Sequence, residues 1–185
     1  DICMGNMECI SSGSAGGGSV SGSGEGDSVS LKASSQQAAV TNAASQANRY
    51  GRYKMPSGWT FKIDARYAYR ESEDSPTILT DKPSNDPTLR GVPAESDEMN
   101  KITTFYQGAF QEFNNQYLYY RDVDEIKPML ELRSFTLSAN NSLLFITEHE
   151  FVHINLHSAN DPEGEGVANF RASKAVNSYI RNGGH

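Results

Sequence analysis

Two histidines stand four residues apart in the run His149-Glu150-Phe151-Val152-His153, and they can act together only on a helix. Residues i and i+4 of an α-helix lie one above the other, so two imidazoles at this spacing can converge on one ion at about 2.0–2.1 Å. Upstream, Ser138, Asn140 and Asn141 offer N-caps. The sequence therefore predicts a helix from Ser142 to about His157 that presents a metal-binding pair.

The run matches HExxH, the zinc signature of the zincin metallopeptidases. Glu150 points partly to the side of the pair, so it can hold a water on the ion and take its proton rather than bind the ion itself. Zinc lowers the pKa of such a water toward about 7, which makes Glu150 the candidate general base and later proton donor. The alternative is a pair of surface histidines without a metal. Against it, the neighbouring Phe151, Val152 and Ile154 indicate a largely buried helix.

A catalytic zinc site needs a third protein ligand and one open position. His157 stands about 12 Å along the helix from His149, so it cannot readily join both histidines. The turn over 160–164 can reverse the chain and bring a carboxylate back to the ion. An acidic helix start favoured by the helix dipole would explain the same residues without a metal. The candidate third ligands are Glu165, Glu163, and Asp161 or a residue distant in the chain. The candidate oxyanion stabilisers are Tyr117, Tyr119, Tyr120, Tyr179 and His185.

Hydropathy patterning predicts an α+β fold around this helix. The alternation from Trp59 to Arg70 predicts a strand or hairpin arm, and the polar, proline-containing stretch Glu71–Glu98 predicts a long loop that borders or covers the cleft. Apolar residues from Met99 to Tyr117, many of them aromatic, recur at helical spacing and predict a core helix. The remaining predicted elements are a strand over Met129–Leu137 and a last helix from about Glu165 to Ile180, which Gly183 and Gly184 end.

The first part of the chain differs in composition from the rest. Fourteen of the eighteen residues from Ser11 to Ser28 are Gly or Ser, which is typical of a flexible segment. The following Leu31–Asn48 is rich in Ala, Gln and Ser and predicts at most a weakly held helix. We therefore expect a flexible, disordered leader over 1–49 and a compact zincin-like domain over 50–185.

The net charge of −7 argues against a partner that is a nucleic acid or an anionic membrane, because both require a basic face. No apolar run approaches the roughly 18 residues of a membrane span, and the opening residues carry no Sec-type signal pattern. The segment Arg49–Arg70 nevertheless holds six basic residues and one acidic residue. This segment is interpreted as a solvated surface, with docking of an acidic partner as the alternative.

The stretch HEFVHINLHSANDPEGEGVANFRASKAVNSYIR resembles the short gluzincin-like peptidases of the NleD type, which bacterial secretion systems deliver. The resemblance covers roughly Phe145 to Arg181. That family pairs two adjacent acids before its last helix, whereas Gly164 separates the two acids here. The resemblance implies zinc as the cofactor, His149, His153 and Glu165 as its ligands, and Glu150 as the catalytic base.

The size of the chain and its Gly/Ser-rich leader also resemble type VI secretion effectors of the EvpP type. The opening Cys-Met-Gly-x-Met-x-Cys is similar to the start of some PAAR-like spike proteins. These resemblances imply a virulence effector that is secreted without a Sec signal, handled by a secretion apparatus or chaperone, and delivered into a host or target cell to cleave a protein there. The alternatives are a non-catalytic effector that binds a host protein through a structural or vestigial zinc site, and an antibacterial toxin.

Overall fold

A computed structural model describes the backbone of residues 25–72, 74–111, 113–120, 130–156 and 162–184. These residues form an α+β arrangement of three helices and small sheets, as the sequence predicts. None of the helices in these ranges is long and apolar enough to cross a membrane. The helices are α1 (Glu25–Tyr50), α2 (Ala139–Leu156) and α3 (Pro162–Arg181).

Helix α2 is the centre of the molecule. Every residue from Ser142 to Ile154 is buried, because α1 and α3 both pack against this helix. The helix begins after Ser138, whose Oγ accepts the backbone N–H of Asn141 at 3.3 Å. The predicted helix is confirmed, and it starts about one turn earlier than expected. Residue His157 lies outside the described residues.

Helix α3 is also confirmed and likewise starts earlier than predicted. Its first residue is Pro162, whose fixed φ and missing N–H suit the first position of a helix. The helix ends at Arg181, and two residues later Gly183 has a φ of +85° and its N–H bonds back to the carbonyl of Ile180 at 3.0 Å. Side chains of α3 are described from Gly164 onward.

The strands form three small sheets. In the first, β1 (Thr60–Ile63) runs parallel to β6 (Ile102–Phe105), and β5 (Ala94–Asp97) pairs antiparallel with the other side of β6. The second sheet has the order β3-β2-β4 and the third is the antiparallel pair β7-β8. The strands of these two sheets are β2 (Tyr67–Arg70), β3 (Ile78–Thr80), β4 (Arg90–Gly91), β7 (Phe113–Tyr120) and β8 (Leu130–Leu137). Strand β8 confirms the strand predicted over Met129–Leu137.

The predicted aromatic helix over Met99–Tyr117 is wrong. The segment holds strand β6, a short 3₁₀-helix at Gln107–Phe110 and the start of β7. Lys101 has a φ of 54°, which a continuous α-helix does not allow. The β-branched residues after it favour a strand, and pairing with β1 supplies the partner that the local spacing could not reveal.

Two further expectations need correction. The stretch Glu71–Glu98 is not one long loop, because it contains β3, β4 and β5. The alternating run Trp59–Arg70 is divided between β1 and β2, which belong to different sheets. The break lies at Asp64, whose Oδ1 accepts the backbone N–H of Arg66 at 2.9 Å and turns the chain.

The core includes residues that precede the predicted start of the compact domain at residue 50. Four small apolar residues of α1 are buried in the same cluster as the apolar side chains of α2 and the residues Trp59 and Phe105. The second half of α1 is therefore packed against the domain. These α1 residues are Val40, Ala43, Ala44 and Ala47.

Candidate metal centre

Two helices bring three potential metal ligands together. His149 and His153 come from successive turns of α2, and Glu165 comes from the first turn of α3. The two imidazole Nε2 atoms are 3.1 Å apart. Glu165 Oε2 lies 3.4 Å from Nε2 of His149, and its Oε1 lies 3.3 Å from Nε2 of His153. Packing of α2 against α3 therefore creates the group.

The surroundings favour an ionised Glu165. Burial raises the pKa of this carboxyl, but hydrogen bonds and charge interactions with His149 and His153 outweigh it and hold the pKa at about 2. Burial lowers the pKa of His149, and the interaction with Glu165 reverses this into a raised pKa, with smaller contributions from Glu150 and Asn169. The group thus places negative charge beside the two rings.

This arrangement fits a metal ion. Ligand atoms around a tetrahedral ion with bonds near 2 Å lie roughly 3.3 Å apart, and the three distances here run from 3.1 to 3.4 Å. Oε2 of Glu165 is buried and makes no contact of good hydrogen-bond geometry among the described residues, although it lies 3.4 Å from Nε2 of His149, so an ion between the two atoms would satisfy it better than the imidazole does. The group could therefore hold a metal ion. Each of the three residues offers one ligand atom, and these atoms lie within 4.8 Å of one another.

Glu150 is held by strand β5, which packs against α2. The hydroxyl of Ser96 donates to Oε2 of Glu150 at 2.6 Å. Oγ of Ser96 lies 2.9 Å from Oγ1 of Thr103, which accepts the indole N–H of Trp59 at 2.9 Å. Thr103 is 0% exposed and Glu150 is 3% exposed, so this chain of hydrogen bonds runs through the interior.

The groups at the two ends of this series of hydrogen bonds determine which atom donates in each bond. An indole N–H can only donate and a carboxylate can only accept. The hydroxyl proton of Thr103 must therefore point to Ser96, and that of Ser96 must point to Glu150. Oε2 of Glu150 therefore accepts the last hydrogen bond of the series, and Oε1 accepts none of its three hydrogen bonds.

A second buried glutamate anchors the end of α1. Glu148 accepts the backbone N–H of Tyr53 at 3.2 Å and interacts with that of Arg52. A side chain at Gly51 would overlap the carboxyl group of Glu148. Burial raises the pKa of Glu148 to about 7 despite these hydrogen bonds. Glu148, which directly precedes His149 in the chain, thus links α2 to the segment that follows α1.

The structure brings together His149, His153 and Glu165, with Glu150 beside His149 on α2. Glu163, the alternative ligand, lies in α3, but its side chain is not among those described. Tyr179 lies fourteen residues after Glu165 on α3, about 21 Å along the helix, so it cannot stabilise an oxyanion at this group. The other candidates that fall outside the described side chains are Asp161, His157, His185, Tyr117, Tyr119 and Tyr120.

Sequence patterning does not find Ser96 and Thr103. Both lie on short strands within segments that were expected to be loop and helix, and a serine or threonine in such a stretch carries no signal of its own.

Comparisons of the chain with models of protein families, with curated proteins and with solved structures find no match.

Proposed function

We propose that this protein is a zinc-dependent endopeptidase. The observation that carries the proposal is the convergence of His149, His153 and Glu165 at distances of 3.1–3.4 Å, with the buried carboxylate of Glu150 on the same helix. Two imidazoles and one carboxylate are a ligand set used by catalytic zinc in peptidases. Among the described residues the group has three members, which leaves a fourth coordination position for water or substrate.

When bound, zinc would supply a Lewis acid that activates water and polarises the carbonyl of the scissile peptide. Glu150 acts as the general base: its Oε1 takes a proton from the attacking water and passes it to the departing amine nitrogen as the C–N bond breaks. The hydroxyl of Ser96 fixes Oε2 of Glu150, so the carboxylate is held in one orientation throughout. Glu165 supplies the negative charge that favours a cation between the rings.

An extended polypeptide is the substrate class that fits the surroundings of Glu150. Strand β5, which carries Ser96, is at the edge of the sheet β1-β6-β5. Edge strands can pair with an extended peptide through main-chain hydrogen bonds. Such pairing would lay the peptide beside Glu150. Delivery as a bacterial effector into a host or target cell, with a protein of that cell as substrate, rests on the resemblances described above.

One observation favours a different function, a non-catalytic effector with a structural metal site. The three ligands are only 1%, 3% and 7% exposed, and structural zinc sites are closed to solvent. In that case the ion would join α2 to α3, and Glu150 would have no chemical role.

Glu150→Gln separates the two functions. Purified protein is loaded with zinc, its metal content is measured by plasma mass spectrometry, and cleavage is followed on a denatured protein such as casein. The peptidase proposal predicts about one zinc per chain in both proteins and a loss of cleavage of at least about 100-fold in the variant.

Two further variants make the result interpretable. Glu165→Gln should lose both zinc and cleavage, whereas the exposed Glu71→Gln, with the same chemical change, should lose neither. Cleavage that persists unchanged in Glu150→Gln would refute the assigned mechanism. A wild-type protein that holds zinc but cleaves neither casein nor a mixture of cell proteins would favour the structural site.

A further inference from the structure

A basic cleft lies along the C-terminal half of α3, beyond the candidate metal centre. It has a volume of about 470 Å³, within the usual size of small-molecule sites. One wall is a single face of α3, and the other is the end of α1 with the two residues that follow it. The residues that line the cleft include four cations, which are Arg52, Arg171, Lys174 and Arg181.

These four cations have few acidic neighbours among the described residues, although the charge of Arg171 acts on Glu148. None of them forms an ion pair with an acidic residue in the described part of the chain, although the protein as a whole has a net charge of −7. None of the described residues that line the cleft is acidic. The carboxyl of Glu148, on which the charge of Arg171 acts, is 0% exposed next to Gly51 and accepts backbone N–H groups there. Arg52, Lys174 and Arg181 are exposed and Arg171 is half-buried, so water screens their mutual repulsion, and a negatively charged occupant of the cleft would be attracted by all four.

Arg171 adds a specific requirement. Its Nε is buried and has no hydrogen-bond acceptor among the described residues. Its guanidinium lies 5.4 Å from the ring centre of Phe170, and Nζ of Lys174 lies 4.8 Å from the same centre, so both cations are positioned by one aromatic ring. A buried donor without an acceptor is costly, and Arg171 also lines the cleft, where an anionic oxygen can accept hydrogen bonds from its guanidinium group.

The number and type of the cations indicate the ligand. Three of the four are guanidinium groups, whose planar fork matches the oxygens of a phosphate. A phosphate group carries about −1.5 to −2 charges near neutral pH, so two of them balance four cations within a small volume. A carboxylate carries only one charge, and a peptide would need several acidic residues within the same space.

We propose that the basic cleft of Arg52, Arg171, Lys174 and Arg181 binds a small ligand with two or more adjacent phosphate groups. The ligand is either a soluble phosphorylated molecule or the headgroup of a polyphosphorylated lipid. The cleft does not include the three potential metal ligands: along α3 its lining residues lie between Arg171, about 9 Å beyond Glu165, and Arg181, about 24 Å beyond it.

Binding is tested on the full-length protein in 150 mM NaCl with two probes. Inorganic tripolyphosphate is titrated by calorimetry, and phosphatidylcholine vesicles that contain phosphatidylinositol 4,5-bisphosphate are tested by co-sedimentation. We expect one-to-one binding of tripolyphosphate, or sedimentation with these vesicles if the source is a lipid. The double variant Lys174→Gln/Arg181→Gln should weaken binding at least about tenfold. Arg171→Lys, which keeps the charge and removes Nε, should also weaken it.

The matched control is Lys62→Gln/Lys82→Gln, which removes two exposed positive charges away from the cleft. This control keeps the candidate metal ligands, as the cleft variants do. Any removal of bound metal by tripolyphosphate would therefore be the same in all of these proteins. Equal weakening in this control would show attraction by overall charge and would overturn the proposal. The absence of binding to both probes would overturn it too, as would equal sedimentation with phosphatidylserine vesicles of matched charge.

Discussion

Three buried glutamates in or near the candidate metal centre are given different properties by their immediate neighbours. Glu165 lies between two imidazoles, which hold its pKa at about 2. Glu148 has backbone N–H groups as its hydrogen-bond partners, and burial raises its pKa to about 7. Glu150 receives the hydroxyl of Ser96. Identical side chains within the packed interior can therefore serve as a ligand, an anchor and a proposed base, because the charge and donors around each differ.

Ser96→Ala tests whether the hydrogen bond to Glu150 positions the proposed base. The variant removes a donor that touches no metal ligand, so zinc content and KM should stay close to those of the wild type. We expect kcat to fall about 10-fold or more, since outer hydrogen-bond partners of catalytic groups commonly have effects of that size. Ser96→Thr keeps the hydroxyl and should restore most of the rate. An unchanged kcat in Ser96→Ala, judged beside Ser72→Ala on the surface, would contradict the assigned role.

Gly51→Ala tests the contact between the end of α1 and α2. A methyl group at this position overlaps the Glu148 carboxyl, which is confined by its hydrogen bond to Tyr53. We expect the free energy of unfolding to fall by about 1–3 kcal/mol, the usual cost of overpacking a buried site. Gly108→Ala is the control, because a methyl group there meets no atom within 4 Å. Urea unfolding curves that show equal stability for both variants would rule out the close approach.

At the scale of elements, the sequence predicts what depends on local signals. Helices α2 and α3 and strand β8 could be anticipated because N-caps, a terminal glycine and side-chain periodicity lie within the segments themselves. The metal group could be anticipated in part, since the spacing of His149 and His153 is a helical repeat. The choice of Glu165 depends on how the chain turns between α2 and α3, so the sequence left it open beside Glu163 and Asp161.

Other elements depend on partners far away in the chain. Strand β6 is held by pairing with β1 and β5. The residues after Met99 give no local sign of these partners, so their apolar spacing resembles that of a helix. Strand β5 is short and polar, and nothing local distinguishes it from a loop. Helix α1 carries mainly alanines toward the core, and such small residues give little hydropathy contrast. Because β5 carries no local signal, the sequence does not reveal Ser96, the serine that donates to Glu150.

Val40→Ala measures how far α1 contributes to the stability of the fold. Val40 is 0% exposed and belongs to the main core cluster. Removing two carbon atoms there should lower the free energy of unfolding by about 1.5–3 kcal/mol, from lost burial and the cavity left behind. The exposed Gln37→Ala on the same helix should be neutral within about 0.5 kcal/mol. A neutral Val40→Ala in chemical denaturation would instead indicate that α1 is a detachable leader.

At the scale of the whole molecule, one acidic side chain joins two of the sheets. Glu95 on β5 forms an ion pair with Arg70 on β2, and it also accepts hydrogen bonds from Thr77 and Tyr106. Arg70 is 3% exposed, so the pair is largely withdrawn from water on that side. Burial raises the pKa of Glu95, but the hydrogen bonds of Thr77 and Tyr106 and the charge of Arg70 together hold the pKa below its ordinary value of 4.5.

Glu95→Gln should therefore show a loss of stability that depends on pH. At pH 7 the variant removes the carboxylate charge that pairs with Arg70, and we expect a loss of about 1.5–3 kcal/mol. Because the pKa of Glu95 is lower in the folded state, its contribution is fully present above about 4.5 and is lost as the pH falls through the folded value. The difference between wild type and variant in urea unfolding should shrink from pH 7 to pH 3. The exposed Glu71→Gln should show no such trend, and a constant difference for Glu95→Gln would mean that the carboxylate charge does not hold the two sheets together.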